Sequence, residues 1–486
     1  MMTIKDLEPK IVWNNFYGLT QIPRPSKHEG KVQEYLYNWG KSRGIETERD
    51  ETGNIIMRIP ATKGYENRKG VVLQGHMDMV PQKTADTVHD FLKDPIKTKI
   101  AGDWVGAEGT TLGADDGIGV SIALSVLEDK NLKHGPIEVL VTYDEETGMT
   151  GADKLKPGVL KGDILINLDS ETEGELYIGC AGGLDAQADF KYSGVAVPDG
   201  FTGYKLTVKG LQGGHSGMDI ILCRANANRV AARLILPLIE KFGVKVASLN
   251  GGSLRNAIPF EAEASLLVPA ASAGDAEACV KSVFAEIKAE FAQTDPGAEC
   301  HFEKEADSAS VYIEDGVALN VVKALLACPD GVERMSASVP GLVETSNNMA
   351  VVKTADGHIT IGSLMRSSVD SAKDFLAERM RAVFELAGAG FSVSGGYSGW
   401  VPNPGTPVIN TMKKVYKDLF GKDLKVMAIH AGLECALLGA KYPNWDMVSM
   451  GPTLVHPHSP DERVNIATVA KAWDFVVKVL ENIPER

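Results

Sequence analysis

The spacing of apolar positions changes along the chain, and each change predicts an element. "SKHEGKVQEYLYNWGKSRG" (26–44) reads as an amphipathic helix ending in glycine. "GNIIMRIP" (53–60), "GVVLQGHMDMV" (70–80), "PIEVLVTYDEE" (136–146) and "GDILINLDSE" (162–171) are short apolar runs that predict strands. "GIGVSIALSVLEDK" (117–130) lies between them and predicts a helix. Short apolar strands separated by helices imply a sheet covered by helices on both faces.

Beyond about residue 186 the pattern becomes α+β. "TGYKLTVKG" (202–210) and "HITIGSLMRS" (358–367) partly alternate, as strands with one buried face do. Amphipathic helices are predicted between them at 226–242, 275–291 and 372–388. That order is ferredoxin-like and long enough for a doubled sheet. After the Gly-, Pro- and Ser-rich "SGGYSGWVPNPGTP" (394–407), helices at 407–421 and 466–482 flank a strand, "DMVSMGPT". The expected organisation is therefore a parent α/β domain with a mixed sheet, formed by residues 1–185 and 396–486. An α+β domain, residues 186–395, would be inserted into it.

Length and charge agree with this and remove other classes. A chain of 486 residues is too long for one ordinary core. Its net charge of −14, with 64 acidic and 50 basic residues, argues against nucleic-acid binding. The longest nearly apolar stretch, "GIGVSIALSVL", is far short of a membrane span. The first residues, "MMTIKDLEPK", lack a signal-peptide core. The six cysteines, at 180, 223, 279, 300, 328 and 435, form no Cys-x-x-Cys, so they read as reduced core thiols of a cytoplasmic protein.

Five segments of the α/β part carry His, Asp or Glu at a strand end or in a Gly-rich loop. They are His76-x-Asp78, Asp115 and Asp116 in "TLGADDGIG", Asp144, Glu145 and Glu146 in "TYDEETG", Asp169 in "INLDSE", and His456 and His458 in "VHPHSPDE". Taken singly, each has an ordinary explanation: a solvated turn, an Asp helix cap or an Asx turn. Together they place histidines and carboxylates where open α/β sheets carry ligands. Such crowding is costly unless a cation collects it. Imidazole and carboxylate without thiolate suit zinc, with manganese or cobalt as alternatives. Two histidines and three carboxylates exceed one tetrahedral site and fit two ions sharing a carboxylate. Asp78 can hold the far ring nitrogen of His76. A neighbouring acid that is not a ligand is then the natural general base.

Other motifs fall away. "GKSRG" (40–44) has the Gly-x-Ser-x-Gly form but follows a predicted helix, not the strand a nucleophile elbow requires. "HEGKV" is not a His-Glu-x-x-His motif. His89, His134, His301 and His358 lack partner motifs and read as surface residues.

In order along the chain, "GHMDMVP", "LGADDGIG", "YDEETG", "INLDSE", "GGHSG" and "HPHSPDE" resemble the co-catalytic dizinc metallopeptidases related to carboxypeptidase G and the carnosinases. "GCAGG…GGHSGMDI…RNAIP" and the long insertion are most similar to the aminoacyl-histidine dipeptidase branch. The resemblance implies a lid or dimerisation role for the inserted domain. It assigns His76 and Asp169 to one Zn2+, Glu146 and His458 to a second, and Asp115 to both. Asp78 would orient His76, and Glu145 would be the general base acting on a water held between the ions. His215 would support the oxyanion, in relatives often across a homodimer. Asn256 and Arg366 would grip the substrate carboxylate. Glu434 would meet the substrate ammonium, unless it is simply a carboxylate at a helix N-terminus. His430 lies near the Glu434 loop in the chain, and that nearness, not the resemblance, would put it at the border of the pocket. The implied reaction is metal-dependent hydrolysis of dipeptides, preferentially Xaa-His (carnosine-like). An aminoacylase or another amidohydrolase on the same metal core is the nearest alternative, and a non-catalytic homologue is a more distant one.

Overall fold

A computed structural model describes residues 3–486. The chain forms two compact units. The first comprises the chain up to Gly179 with Trp400–Ala428 and Leu433–Arg486, and the second comprises Cys180–Gly399 with Ile429–Gly432.

The first unit is built on an eight-stranded mixed sheet. Its order is Glu46–Arg49, Ile55–Ile59, Ile137–Thr142, Val71–His76, Ile164–Asn167, Asp446–Ser449, Glu175–Cys180, Lys425–Ile429. The four strands from Ile137–Thr142 to Asp446–Ser449 run parallel. Every residue of Val71–His76, Ile137–Thr142 and Ile164–Asn167 is buried, as expected of strands covered on both faces. Their Val, Leu and Ile side chains each contribute roughly 1.5–3 kcal/mol by burial. Val71, Leu73, Ile137, Val139, Val141, Ile164 and Ile166 pack into one core with Trp13, Phe16, Ile118, Ile122 and Phe475 from the helices Lys10–Thr20, Ala114–Glu128 and Ile466–Glu481.

Two elements end differently from the sequence expectation, and both differences build the site. The run 70–80 is a strand only to His76, after which Arg24 takes the carbonyls of Met77 and Asp78 out of the sheet pattern. The helix after the Gly-rich turn starts at Ala114, and Asp115 (φ −79, ψ 111) and Asp116 (φ −102, ψ 33) are not helical. A four-stranded sheet, Leu454–Val455, Arg463–Asn465, Trp104–Ala107 and Thr98–Ala101, has no counterpart in the expected elements. Its first two strands hold the loop that carries His458.

The second unit has a separate nine-stranded antiparallel sheet. The helices Ala227–Phe242, Ala273–Glu290, Asp315–Ala327 and Asp370–Leu386 join its own core, which includes Leu234, Ile235, Leu266 and Phe384. Among the described residues no helix is long and apolar enough to cross a membrane. Two expectations about burial change. His134 is buried (3% exposed), with Nδ1 at 2.7 Å from the Gly135 carbonyl. The cysteines are not all in the core: Cys223 is exposed, and Cys279 and Cys300 are half-buried.

Candidate active site

The parallel strands deliver their ends to one place. His76 closes Val71–His76 and is 1% exposed. Its Nε2 lies 3.1 Å from Asp115 Oδ1 and 3.4 Å from Asp169 Oδ1. On its other edge, Nδ1 is 3.3 Å from Asp78 Oδ1 and 3.2 Å from the Asp78 carbonyl. Asp115 Oδ2 lies 3.1 Å from His458 Nε2, which is also 3.0 Å from Glu146 Oε2. Asp115 thus turns one oxygen toward each histidine. Asp116, its neighbour, is buried with Oδ2 unpartnered and does not lie between the imidazoles. His456 is exposed and is not among the converging His, Asp and Glu donors.

Backbone geometry fixes these positions. Asp144 is left-handed (φ 52), and its carboxylate accepts the Thr147 and Thr150 hydroxyls. That turn starts the short helix Glu145–Gly148 with the two glutamates in its first turn. The Asp78 carboxylate receives the N–H of Glu145 at 3.0 Å and of Glu146 at 3.3 Å. One buried acid therefore holds both His76 and the glutamate pair. His458 is also left-handed (φ 59), a conformation that costs a non-glycine residue about 1–2 kcal/mol.

Two supports escaped the sequence reading. Glu462 is 3% exposed, and its carboxylate accepts four N–H groups: Leu112 at 2.8 Å, Gly113 at 3.0 Å, Ala114 at 2.7 Å and Asp115 at 3.2 Å. It thereby fixes the turn that presents Asp115. The Arg24 guanidinium is fully buried and donates to Met77 O at 3.0 Å, Asp78 O at 2.9 Å and Gly113 O. Gly113 is left-handed (φ 69), and a Cβ there would sit 2.5 Å from Arg24 Nη2, so glycine is required on both counts. The only signal for Glu462 was its place in the quoted "HPHSPDE". Arg24, between two prolines in "IPRPS", gave none.

The donors suit divalent cations. His76, Asp115 and Asp169 form one group and Asp115, Glu146 and His458 another, with one donor atom of each residue within 4.8 Å of the others in its group. Glu146 Oε1 is buried and unpartnered. Burial pushes the Asp169 and Glu145 carboxyls well above their ordinary range. Burial would raise Asp115 too, but hydrogen bonds from His458 and His76 outweigh it and hold it far below. Bonding to Asp115 and Glu146 pushes His458 up to about 11. Imidazoles and carboxylates packed this closely, without thiolate, are a donor set for zinc-like ions.

The remaining sequence candidates divide between the units. Glu434, in the first, is fully buried; its Oε2 accepts Gln74 Nε2 at 2.6 Å and Thr142 Oγ1 at 2.7 Å, and Oε1 is unpartnered. In the second, His215 Nδ1 accepts the N–H groups of Gly217 at 3.2 Å and Met218 at 3.1 Å. The proton of the neutral ring is therefore on Nε2. Burial, with the nearby Arg366 charge, lowers its pKa and keeps it neutral. Arg366 is buried, its Nε 3.4 Å from Ser216 Oγ and its Nη1 3.5 Å from the Tyr397 hydroxyl. Asn256 is exposed, and its carbonyl accepts the Ser216 N–H at 2.8 Å. His430 Nε2 is 2.7 Å from Ser346 Oγ, and burial takes its pKa down to about 3.

The model of peptidase family M20/M25/M40 matches residues 72–482. The chain belongs to that family. This M20 chain is 45% identical to the cytosol non-specific dipeptidase of Escherichia coli (strain K12), over 100% of both chains. It superposes on the crystal structure of aminoacylhistidine dipeptidase from Vibrio alginolyticus with a TM-score of 0.95 at 46% identity, covering 100% of this chain and 99% of that one. Aminopeptidase PepT from Bacillus cereus is similar in fold, with a TM-score of 0.57 at 18% identity, covering 98% of this chain and 99% of that one.

Proposed function

We propose that this M20 peptidase hydrolyses unblocked dipeptides, Xaa-His among them, with two divalent ions, Zn2+ by donor type. The observation that carries the reading is the Asp115 carboxylate, one oxygen toward His76 and the other toward His458. His76 and Asp169 would hold one ion, Glu146 and His458 the other, and Asp115 both. When bound, such a pair polarises a carbonyl and lowers the pKa of water toward about 7. Glu145 takes the proton of the attacking water and returns it to the leaving amine. Asp78 keeps His76 in one orientation. His215 offers its Nε2–H to the oxyanion. Arg366 and Asn256 bind the substrate carboxylate, and Glu434 Oε1 accepts from the substrate ammonium. The full-length similarity to two dipeptidases supports the substrate class.

The reading keeps the second unit as an inserted, doubled ferredoxin-like lid that pairs two chains in a cytoplasmic homodimer. Mixing inactive His215→Ala and Glu145→Gln chains tests the pairing, because activity returns only if His215 acts on the partner chain's substrate.

A panel of dipeptides tests the reading. Free dipeptides should turn over, and C-amidated or N-acetylated analogues should do so at least tenfold less well. Equal rates on amidated substrates would remove the carboxylate clamp. Preference for N-acetyl amino acids would replace the dipeptidase by an aminoacylase.

A further inference from the structure

A row of side-chain hydrogen bonds crosses the sheet just before the strand ends that carry the candidate ligands. Gln74 is the register partner of Asn167, and Asn167 of Ser449, on three neighbouring parallel strands. All three are 0% exposed. A backbone N–H, which can only donate, fixes the direction of the row: Asp169 N–H reaches Asn167 Oδ1 at 3.3 Å. The Ser449 hydroxyl donates to the same oxygen at 2.5 Å. Asn167 Nδ2 must then face Gln74, and it lies 2.6 Å from Gln74 Oε1. That leaves Gln74 Nε2 to donate to Glu434 Oε2 at 2.6 Å, where Thr142 Oγ1 also donates at 2.7 Å. Every donor in the row therefore points toward Glu434. Chains of this kind strengthen one another in a dry interior. Two donors hold Oε2, and Oε1 stays buried without a partner.

We propose that Gln74 and Asn167 are positioning residues that select substrates with a free N-terminal ammonium, by locking the Glu434 carboxylate so that Oε1 alone is presented. The proposal rests on the dipeptidase reading and deepens it. It assigns specificity to two neutral side chains that need not touch substrate, and it ties the register row to Asp169 at one end and Glu434 at the other.

The test is Gln74→Met, which keeps length and apolar volume but removes both the amide oxygen and the amide NH2. KM and kcat are measured for a free dipeptide and its N-acetyl analogue, and bound metal is measured by elemental analysis. We expect unchanged metal content, a KM for the free dipeptide raised about tenfold with a smaller change in kcat, and weaker discrimination against the acetylated analogue. A hydrogen bond to a charged group is worth this much. An unchanged KM, or KM and kcat shifting alike for both substrates, overturns the proposal. Should Gln74→Met fail to fold, the isosteric Thr142→Val removes the second donor to Oε2 and carries the same expectation. Wild-type protein that cleaves no dipeptide defeats the dipeptidase reading. Active wild-type protein with unaltered Gln74→Met selectivity defeats this inference alone.

Discussion

Asp78 Oδ1 accepts the backbone N–H of Glu145 at 3.0 Å, so the candidate base is placed through its main chain by an acid on another element. Oδ1 of the same carboxylate is 3.3 Å from His76 Nδ1. Loss of this carboxylate should therefore disturb binding and chemistry together. Asp78→Ala is expected to weaken zinc binding by about 10–100-fold, the usual cost of losing support behind a ligand, and to lower kcat as well. Zinc competition titration beside steady-state rates checks this. Wild-type affinity in the variant would mean that Asp78 does not set the orientation of His76.

Glu145 and Glu146 are adjacent but face different partners: Glu146 Oε2 is 3.0 Å from His458 Nε2, whereas Glu145 converges with His76 and Glu146 but joins neither group that contains Asp115. Glu145→Gln should keep two ions per chain and reduce kcat by about 10²–10⁴-fold, the range of a general base. Glu146→Gln should lower metal content first, with activity partly recovered in excess zinc. Identical behaviour in the two variants would contradict the division of roles.

The local pattern exposed what lies on single strands and turns. The run to His76, the acids after Thr142 and Asn167, and the Asp pair after Gly113 each stand at a change of period, so the site's parts were readable before their assembly. What the pattern hid depends on pairing between distant segments. Glu462 meets Ala114 across 348 residues, and Gln74 meets Glu434 across 360. No periodicity encodes such a pairing, and a buried glutamine on a strand looks like any polar interruption. The burial of His134 is illegible locally for a similar reason. Its partner is distant in sequence: the Thr62 N–H reaches the His134 carbonyl at 3.0 Å across 72 residues.

Glu462 should behave as a structural anchor with a functional readout. Its carboxylate satisfies four N–H groups from Leu112 to Asp115, and removing it leaves buried donors unpaired at about 1–3 kcal/mol each where water cannot replace it. Glu462→Ala is expected to lower the Tm and to loosen the turn that carries Asp115. Metal affinity should fall although Glu462 is not among the converging donors. Glu462→Gln, which keeps one acceptor oxygen, should lie between the two. A variant with lowered Tm but wild-type metal affinity would show that the turn holds Asp115 without this cap.

His134 gives the chain a pH dependence away from the metal donors. Burial disfavours the charged imidazole and lowers its pKa below the ordinary 6.5. Nδ1 donates to the Gly135 carbonyl at 2.7 Å, and the backbone N–H donates to Thr62 Oγ1 at 3.0 Å. In the unfolded chain the ring takes up a proton below about pH 6.5, while the folded chain resists it. Between the two pKa values the unfolded state binds more protons, so stability rises with pH there. The contribution is complete above pH 6.5 and is lost as pH falls toward the lowered folded value. His134→Gln retains an amide donor for the carbonyl and cannot titrate. Its urea midpoint should therefore fall less between pH 7.5 and pH 5 than that of the wild type, measured with chelator in both to remove linkage to metal. Equal falls in the two proteins would mean that the buried imidazole is not what makes the fold acid-sensitive.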